Sequence, residues 1–297
     1  MLDILRSASL SLPDFDENVE FLIDGFLPKR MITMVYADGG NGKSWLAMAL
    51  ANTCASFVPH VVYLDFDNPL SVLKERNVNK QLVDTHPNLL YVQRSKSELQ
   101  AEDLLFEISR NATAHAYDGM FFILDSLRNF GEVNNDAKIM NTMNMLMDIR
   151  EAGGTILILH HSNKDGKNYQ GSNNIRNTVD NMYQLQKREM SQQVGVILSV
   201  KKERASISDK AYEIDPDTLM LTACDLIEAQ SSEQDLDFVS EIKTVLTSQP
   251  NLNKSELLKH AGYAKDDKTA RSRLDKYDGI YWHSTKNHTT IRYNLTA

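Results

Sequence analysis

Five short apolar runs, separated by longer amphipathic stretches, dominate residues 1–225. Each run is rich in β-branched or aromatic residues and has the length of a buried strand. The runs are residues 31–37, 60–66, 120–126, 155–161 and 194–200. Helix-length amphipathic stretches lie between them, as at residues 43–57 and 137–154. Strands that alternate with helices predict an α/β fold whose mostly parallel sheet is covered on both faces.

The composition turns polar and acidic around residues 228–237. We therefore predict a linker at residues 229–238. It separates a first domain of residues 1–228, whose core is preceded by segment 1–25, from a small second domain of residues 239–297. A chain of 297 residues has the length for two such domains.

The second domain has a pattern of its own. Residues 251–297 predict two helices separated by a glycine-containing turn, then two short strands around a polar turn. This order is typical of a winged helix, with residues 268–276 as the recognition helix. Its candidate DNA contacts on the helix and the wing are Lys268, Arg271, Arg273, Lys286 and His288. Winged helices also dock proteins, so duplex DNA and a replication protein both remain open as partners.

The net charge of −8 conceals an asymmetry along the chain. Residues 251–297 carry nine Lys or Arg against five Asp or Glu, a net charge of +4, so that the remainder carries −12. An acidic chain argues against binding to a polyanion, because such proteins usually present a positive field. The basic second domain keeps nucleic acid among the candidate partners.

The cysteine content and the lengths of the apolar runs indicate the cellular compartment of the protein. Cys54 and Cys224 lie far apart and belong to no metal-ligand pattern, which predicts free thiols in a reducing compartment. The first residues lack a basic segment followed by a long apolar stretch, and no run approaches about 18 consecutive apolar residues. We therefore predict a cytoplasmic protein with no membrane association.

A glycine cluster follows the first apolar run, in the sequence YADGGNGKSW of residues 36–45. A strand, a glycine-rich turn and Lys-Ser at the start of a helix predict a phosphate-binding loop for ATP, although its first position is Ala37 rather than Gly. Lys43 then reaches the β- and γ-phosphates, and Ser44 holds Mg²⁺ through its hydroxyl. The predicted nucleotide-binding residues are Gly39, Gly40, Asn41, Gly42, Lys43, Ser44 and Trp45.

Polar residues at the ends of three other runs are candidates for catalysis. Asp125 ends one run and is the candidate carboxylate for Mg²⁺. Asp65 and Asp67 end another run on the same side of a strand, and we choose Asp67 as the base that activates water. His160 and His161 end a third run, where a polar side chain is able to sense the γ-phosphate. A polar pair at a strand end is also an ordinary structural feature.

Five motifs of the first domain occur in a recognisable order: YADGGNGKS, VVYLDFDNP, FFILDSLRNF, LILHHSNK and YQGSNNIRNTVDNMYQL. Their order and spacing resemble RecA-like ATPases of the RepA plasmid helicase type, with DnaB-type helicases and KaiC-like ATPases as more distant relatives. The likeness covers about residues 20–222. It implies a RecA-like P-loop core, a homo-hexameric ring with ATP sites between subunits, and movement on single-stranded DNA in the central channel.

The resemblance also assigns roles to single residues. Lys43 and Ser44 match the Walker A pair, Asp125 the Walker B carboxylate and His161 the sensor. Asp67 stands where the family usually has a catalytic Glu. Because its side chain is one methylene shorter, its reach to the attacking water is reduced and hydrolysis is expected to be slow.

A second departure concerns the arginine finger. In the RepA pattern the finger precedes a Gly-Ser pair, and that position is Gln170 here. Lys202 and Arg204 resemble the Lys-x-Arg finger of DnaB-type helicases, which makes Arg204 the candidate finger and Lys202 a nucleotide contact. A solvated charge run at a strand end is the alternative interpretation.

Two loops are candidates for DNA contact. In RecA-like folds the loop after the sensor strand faces the channel, so Lys164, Lys167 and Arg176 are candidate phosphate contacts. A flexible surface loop fits the same composition. Arg128 begins a second loop of this kind, after the Asp125 run.

Two classes of function fit these observations. The first is an ATP-driven, ring-forming DNA motor that acts in replication of a plasmid, phage or mobile element. The second is a non-unwinding ATP-dependent switch that loads or regulates another machine. The set of motifs favours the motor, whereas Asp67 and Gln170 favour the switch. A small-molecule kinase is a poorer option, because no lid or acceptor motif is evident.

Overall fold

The computed structural model describes residues 2–7, 9–16, 18–188, 190–287 and 290–296. The chain forms two compact units, Met1–Leu226 and Ile227–Ala297. The helix α7 (Leu226–Gln230) begins at the last residue of the first unit.

The first unit contains a large sheet and six helices among its described residues. The helices are α1 (Leu2–Ser7), α2 (Lys43–Cys54), α3 (Leu70–Glu75), α4 (Ala101–Arg110), α5 (Asp136–Glu151) and α6 (Asn173–Thr178). The strands are β1 (Phe21–Ile23), β2 (Leu27–Pro28), β3 (Ile32–Ala37), β4 (Val61–Asp65), β5 (Leu89–Gln93), β6 (Phe121–Asp125), β7 (Thr155–His161), β8 (Asn181–Arg188), β9 (Val194–Lys202), β10 (Lys210–Ile214) and β11 (Leu221–Cys224). Short 3-10 and π turns lie at Leu12–Phe15, Asn79–Asp84 and Leu127–Asn129.

Nine strands form the large sheet in the order β11-β10-β9-β8-β3-β7-β6-β4-β5. Strands β8, β3, β7, β6, β4 and β5 run parallel, and β9 to β11 extend the sheet with antiparallel pairing. The predicted α/β fold with a mostly parallel sheet is confirmed. Because β7 lies between β3 and β6, the carboxyl ends of the three strands meet at one edge, as expected of a RecA-like P-loop core.

The sheet is covered on both faces by apolar side chains. One core cluster packs α2 against side chains such as Val35, Tyr63 and Ile123, and the other packs α5 against side chains such as Met34 and Leu124. Alternate residues of one strand enter opposite clusters because successive strand side chains point to opposite faces. Burial on both faces explains why the central strands read as continuous apolar runs.

The second unit is built from helices and a small antiparallel sheet. After α7 come α8 (Glu233–Ser248), β12 (Leu252–Asn253), α9 (Lys254–His260), α10 (Lys268–Lys276), β13 (Trp282–Asn287) and β14 (Thr290–Leu295). The three strands pair in the order β12-β14-β13. The two helices and two strands predicted in this region are present, whereas His288 lies outside the described residues. The winged-helix assignment stays a prediction.

The stretch predicted as a linker, residues 229–238, contains the end of α7 and the start of α8. Ser232 caps α8 by accepting a hydrogen bond from the main-chain N–H of Asp235. The start of α8 was not predicted, because its first turn is polar and its buried apolar residues, such as Phe238 and Ile242, begin a turn later. Among the described residues, no helix has the length and apolar content needed to cross a membrane.

Candidate active site

The glycine cluster forms the connection between β3 and α2. Strand β3 ends at Ala37 and α2 begins at Lys43, with Gly40 at φ 79° and Gly42 at φ 92°. Only glycine adopts such angles readily, which explains two of the glycines. A Cβ added at Gly39 or Gly40 would meet no atom within 4 Å, so the outer side of this loop is open. Strand, loop and helix are therefore arranged as a phosphate-binding loop requires.

Lys43 folds back over this loop. Its Nζ donates hydrogen bonds of 2.9 Å to the main-chain oxygens of Ala37 and Asp38. Burial lowers the pKa of the Lys43 ammonium, while Asp125 and Asp67 act in the opposite direction. Two of the three N–H groups have main-chain acceptors, which leaves one donor for a ligand.

Asp125 lies at the end of β6 and is buried. Its Oδ2 accepts hydrogen bonds from the Tyr63 hydroxyl at 3.1 Å and from the Asn68 amide at 3.3 Å. The Ser44 hydroxyl lies near enough to this carboxylate to favour its charged form. Burial, followed by repulsion from Asp65, raises the pKa of Asp125 to about 7. The predicted Walker pair, Ser44 and Asp125, therefore lies at one place.

Asp67 lies just beyond the end of β4, between a cation and a histidine. Its Oδ1 pairs with Arg128 Nη2 at 2.7 Å, and its Oδ2 is 3.9 Å from His161 Nε2. Asp65 has a different role, because its Oδ1 accepts the main-chain N–H groups of Asp67 and Asn68 at 3.1 and 2.9 Å. Asp67, unlike Asp65, therefore has a carboxylate oxygen near His161, and its role as the base stays a prediction.

Polar atoms without a partner cluster at this edge. Within the described part of the chain, Ser126 Oγ, Asn129 Nδ2 and His161 Nε2 are buried and make no hydrogen bond. Burial is also the main cause that lowers the pKa of His161, with Lys43 and Arg128 adding to the effect. Buried polar groups normally have hydrogen-bond partners. Three buried polar atoms without such a partner, beside an open loop, therefore fit the binding of a polar ligand.

The donor set also suits Mg²⁺. The Ser44 hydroxyl and the Asp125 carboxylate supply two neighbouring oxygen ligands. Among the residues that the structure describes, no group of three His, Cys, Asp or Glu side chains could hold a metal ion by itself. Mg²⁺ usually keeps several waters and binds through one or two protein groups plus substrate phosphates, so this sparse set fits an ion that arrives with a nucleotide.

Sequence comparison matches residues 6–167 to the AAA domain family. The chain belongs to this family. The matched region includes the phosphate-binding loop, Asp67, Asp125 and His161, so the first unit is a P-loop ATPase domain that binds a nucleotide.

Other comparisons add less. No curated protein sequence matches the chain. Among solved structures, the flagellar accessory protein FlaH from Methanocaldococcus jannaschii is similar with a TM-score of 0.48 and 16% sequence identity. The similarity covers 73% of this chain and 97% of FlaH.

Several neighbours of the ATPase site were not predicted. The Asn68 amide donates hydrogen bonds to both Asp65 and Asp125. The rings of Tyr63 and Tyr91 are stacked, and their hydroxyls donate to Asp125 and Asp65, respectively. Tyrosines inside apolar strands look like ordinary core residues in a sequence. The signal that could have found Asn68 is its position after Asp65-x-Asp67, directly before a proline that begins a helix.

Trp45, a predicted nucleotide contact, follows Ser44 on α2. Its ring lies under the Arg76 guanidinium, 5.3 Å from ring centroid to Cζ. The cation occupies one face of the indole, a favourable arrangement that fixes the start of α2 against the end of α3. Trp45 therefore has a structural contact in addition to any contact with the nucleotide.

Lys202 and Arg204 lie near the start of the parallel strands β3 and β8, whereas the phosphate-binding loop of the same chain follows the end of β3. The Lys202 ammonium donates to main-chain oxygens of Arg176 and Val179, both at 2.6 Å, and so caps the end of α6. Arg204 pairs with Asp180 at 2.7 Å. Lys202, predicted as a nucleotide ligand, is instead held by carbonyl oxygens because β9 ends beside α6. Contact of Arg204 with a nucleotide requires another subunit.

The two candidate DNA loops are bonded to each other. They follow β6 and β7, and Ser172 N donates to Val133 O at 2.9 Å. Gly171 has φ 101°, and a Cβ there would lie 2.5 Å from Val133 O. Lys164 and Lys167 are exposed on the loop after β7.

The predicted arginines of these loops already have partners. Arg128 pairs with Asp67, as described above. The Nη2 of Arg176 donates to the Lys201 main-chain oxygen at 3.0 Å, although its side chain is exposed. Of the four residues predicted to contact DNA in this unit, Lys164 and Lys167 are the two whose side chains make no hydrogen bond or ion pair within the described part of the chain.

The candidate DNA contacts of the second unit differ in whether their side chains already bond to other residues of that unit. Lys268 and Lys286 are exposed. Arg273 Nε pairs with the buried Asp235 at 2.6 Å, because α10 packs against α8. Arg271 Nη1 donates to Lys265 O at 2.8 Å. Arg273, predicted on the surface that contacts DNA, instead joins two helices of this unit.

Proposed function

We propose that this AAA domain protein is an ATP-hydrolysing, ring-forming DNA motor of the RepA-like replicative helicase type. The observation that carries the proposal is the meeting of Lys43, Asp125, Asp67 and His161 at the sheet edge from which the two bonded loops extend. Such an arrangement couples the state of a bound nucleotide to loops that are able to hold single-stranded DNA. Replication of a plasmid, phage or mobile element is the process that this activity serves.

The roles of the residues follow from their positions. The loop before α2 holds the phosphates through main-chain N–H groups, and Lys43 adds positive charge beside them. Ser44 and Asp125 would hold Mg²⁺, which would supply positive charge beside the phosphates. Asp67 orients the attacking water and accepts its proton, and His161 contacts the γ-phosphate. Arg204 supplies positive charge to the site of a neighbouring subunit in a homo-hexamer.

The primary test measures steady-state ATP hydrolysis with and without single-stranded DNA, followed by strand displacement on a forked duplex. We expect hydrolysis that single-stranded DNA stimulates and ATP-dependent unwinding. Slow hydrolysis that DNA does not change, without unwinding, would contradict the motor.

Replacement of Lys164 and Lys167 together by alanine tests the loop after β7. We expect weaker single-stranded DNA binding and a salt dependence smaller by about two phosphate contacts, because each lysine neutralises one phosphate. Hydrolysis without DNA should be unchanged. Lys74 and Lys80, two exposed lysines outside both loops, provide a matched double alanine control. Equal DNA binding by both double variants would exclude this loop from the DNA site.

Replacement of Arg204 by alanine tests the finger in a neighbouring subunit. We expect hydrolysis to fall by about a thousandfold while nucleotide binding is preserved, since a finger acts on the transition state. Arg188 pairs with Glu213 at 3.5 Å on the same sheet and gives a matched control, Arg188→Ala.

A mixing experiment makes the test of Arg204 sharper. A subunit with Lys43→Ala lacks a working phosphate-binding loop but keeps Arg204, whereas Arg204→Ala has the reverse defect. If the finger acts between subunits, a mixture of the two variants regains part of the hydrolysis that each has lost. A mixture as inactive as its components, at concentrations where subunits exchange, would contradict action between subunits.

A non-unwinding ATP-dependent switch is the second candidate. It is favoured by the ion pair between Asp67 and Arg128, which engages the proposed base. In this case hydrolysis is slow and a protein partner, rather than DNA, accelerates it. The second unit then binds duplex DNA or that partner, with the exposed Lys268 and Lys286 as candidate contacts.

A further inference from the structure

Two buried carboxylates lie side by side beneath the candidate Mg²⁺ site. Asp65 and Asp125 are register partners on the neighbouring strands β4 and β6, with exposed fractions of 0% and 2%. Two ionised carboxylates on register partners of neighbouring strands repel each other. Such a pair keeps a defined geometry only if donors lie between its members.

Asn68 provides the donor between them. Its Nδ2 lies 3.2 and 3.1 Å from the two oxygens of Asp65 and 3.3 Å from Oδ2 of Asp125. The amide therefore spans both carboxylates. Tyr63 and Tyr91 each donate to one carboxylate alone, so they cannot fix one carboxylate relative to the other.

The orientation of this amide is set from its other side. Arg76 Nη1 donates to Asn68 Oδ1 at 3.4 Å, which places the amide nitrogen toward the carboxylates. The same guanidinium lies over the ring of Trp45, the residue after Ser44. Contacts thus run from Asp125 through Asn68 and Arg76 back to the helix turn that carries the Ser44 hydroxyl.

We propose that Asn68 is a positioning residue for Mg²⁺ binding. Its amide holds the Asp125 carboxylate in an orientation that faces the Ser44 hydroxyl. The inference rests on the proposed nucleotide site and adds a residue to it. Asn68 does not touch the metal or the nucleotide in this assignment. Groups that orient metal ligands commonly change metal affinity by about 10- to 100-fold when they are removed.

The test compares Asn68→Ala with wild type in binding a fluorescent ATP analogue, first in EDTA and then over a Mg²⁺ titration. We expect equal affinity within about twofold in EDTA and a half-saturating Mg²⁺ concentration raised by about tenfold in the variant. Arg76→Ala leaves the hydrogen bonds from Asn68 to the two carboxylates but removes the bond that orients its amide. We therefore expect a smaller rise in the half-saturating Mg²⁺ concentration. This second variant keeps the test valid if Asn68→Ala folds poorly.

Gln93→Ala is the matched control for the turn itself. Gln93 Nε2 donates to the Asn68 main-chain oxygen at 2.9 Å, so the change loosens the same turn without removing the bridge. We expect its Mg²⁺ dependence to equal that of wild type. Equal Mg²⁺ curves for wild type and both test variants, or an equal shift in Gln93→Ala, would overturn the positioning role.

The binding curves also separate this inference from the proposed function. If wild type binds the analogue in a Mg²⁺-dependent way but neither hydrolyses ATP nor unwinds DNA, the motor fails and the Asn68 comparison still stands. If wild type unwinds DNA while Asn68→Ala has a wild-type Mg²⁺ curve, the motor stands and the positioning role fails.

Discussion

Replacement of Lys43 by alanine is expected to reduce ATP hydrolysis by at least about a thousandfold, because it removes the positive charge beside the transferred phosphoryl group. Nucleotide affinity should fall as well, since the ammonium stabilises bound phosphates before and during the reaction. The measurement is steady-state phosphate release together with the affinity for a fluorescent ATP analogue.

The structure indicates what else this change disturbs. The Lys43 ammonium satisfies the main-chain oxygens of Ala37 and Asp38, so its loss leaves two acceptors without a donor. A loss of about 1 to 3 kcal/mol of stability is expected for such groups where they are buried, so thermal unfolding must accompany the kinetics. Lys80→Ala, at an exposed lysine, is the control. Wild-type hydrolysis by a folded Lys43→Ala variant would refute the phosphate-binding loop.

Replacement of Asp67 by asparagine is expected to lower the maximal rate of hydrolysis by about 100- to 10,000-fold with little change in nucleotide affinity. Asparagine has nearly the same shape but is unable to take a proton from water. The measurement is the maximal rate and the half-saturating ATP concentration, determined separately. A fall confined to the maximal rate is the mark of a group that acts in the transition state.

Asp38 provides the matched control for Asp67. Both carboxylates act on the Lys43 ammonium in the same direction, so Asp38→Asn removes a similar negative charge from its surroundings. We expect Asp38→Asn to hydrolyse ATP within a few fold of wild type. Equal losses in the two variants would point to a general effect of charge, and undiminished hydrolysis by Asp67→Asn would exclude the base role.

The five apolar runs predicted the central strands well, because burial on both faces leaves a strand little freedom in composition. The run at residues 155–161 is β7 without a shift, and 31–37 differs from β3 by one residue. Strand β5 lies at a sheet edge with Leu90 exposed, and its apolar run of residues 89–92 is shorter than the five runs that predicted strands. Strand β8, inside the sheet, mixes polar and apolar residues and gave no continuous apolar run either.

The site was predictable where a residue's role depends on its place along the chain. Lys43, Ser44 and Asp125 follow from strand, loop and helix order, and the structure places Ser44 near Asp125. Asn68 was not found because its role depends on Asp125, a carboxylate 57 residues further along the chain. The pairing of Arg128 with Asp67 across 61 residues was missed for the same reason.

Charged residues were the least predictable, since a sequence does not reveal their partners. Arg273 faces Asp235 inside the second unit, and Lys202 caps α6, although both were expected to contact ligands. Their neighbours in the folded chain, brought close by helix packing and strand ends, decide which cations remain available.

The hydrogen bond from Ser172 to Val133 joins the loops that leave β6 and β7. Gly171 brings the two backbones so close that even a methyl group would not fit between them. We therefore expect the two loops to move together, attached at one point beyond Asp125 and at another beyond His161. A force on either loop would then reach the proposed metal ligand and the proposed phosphate contact at the same time.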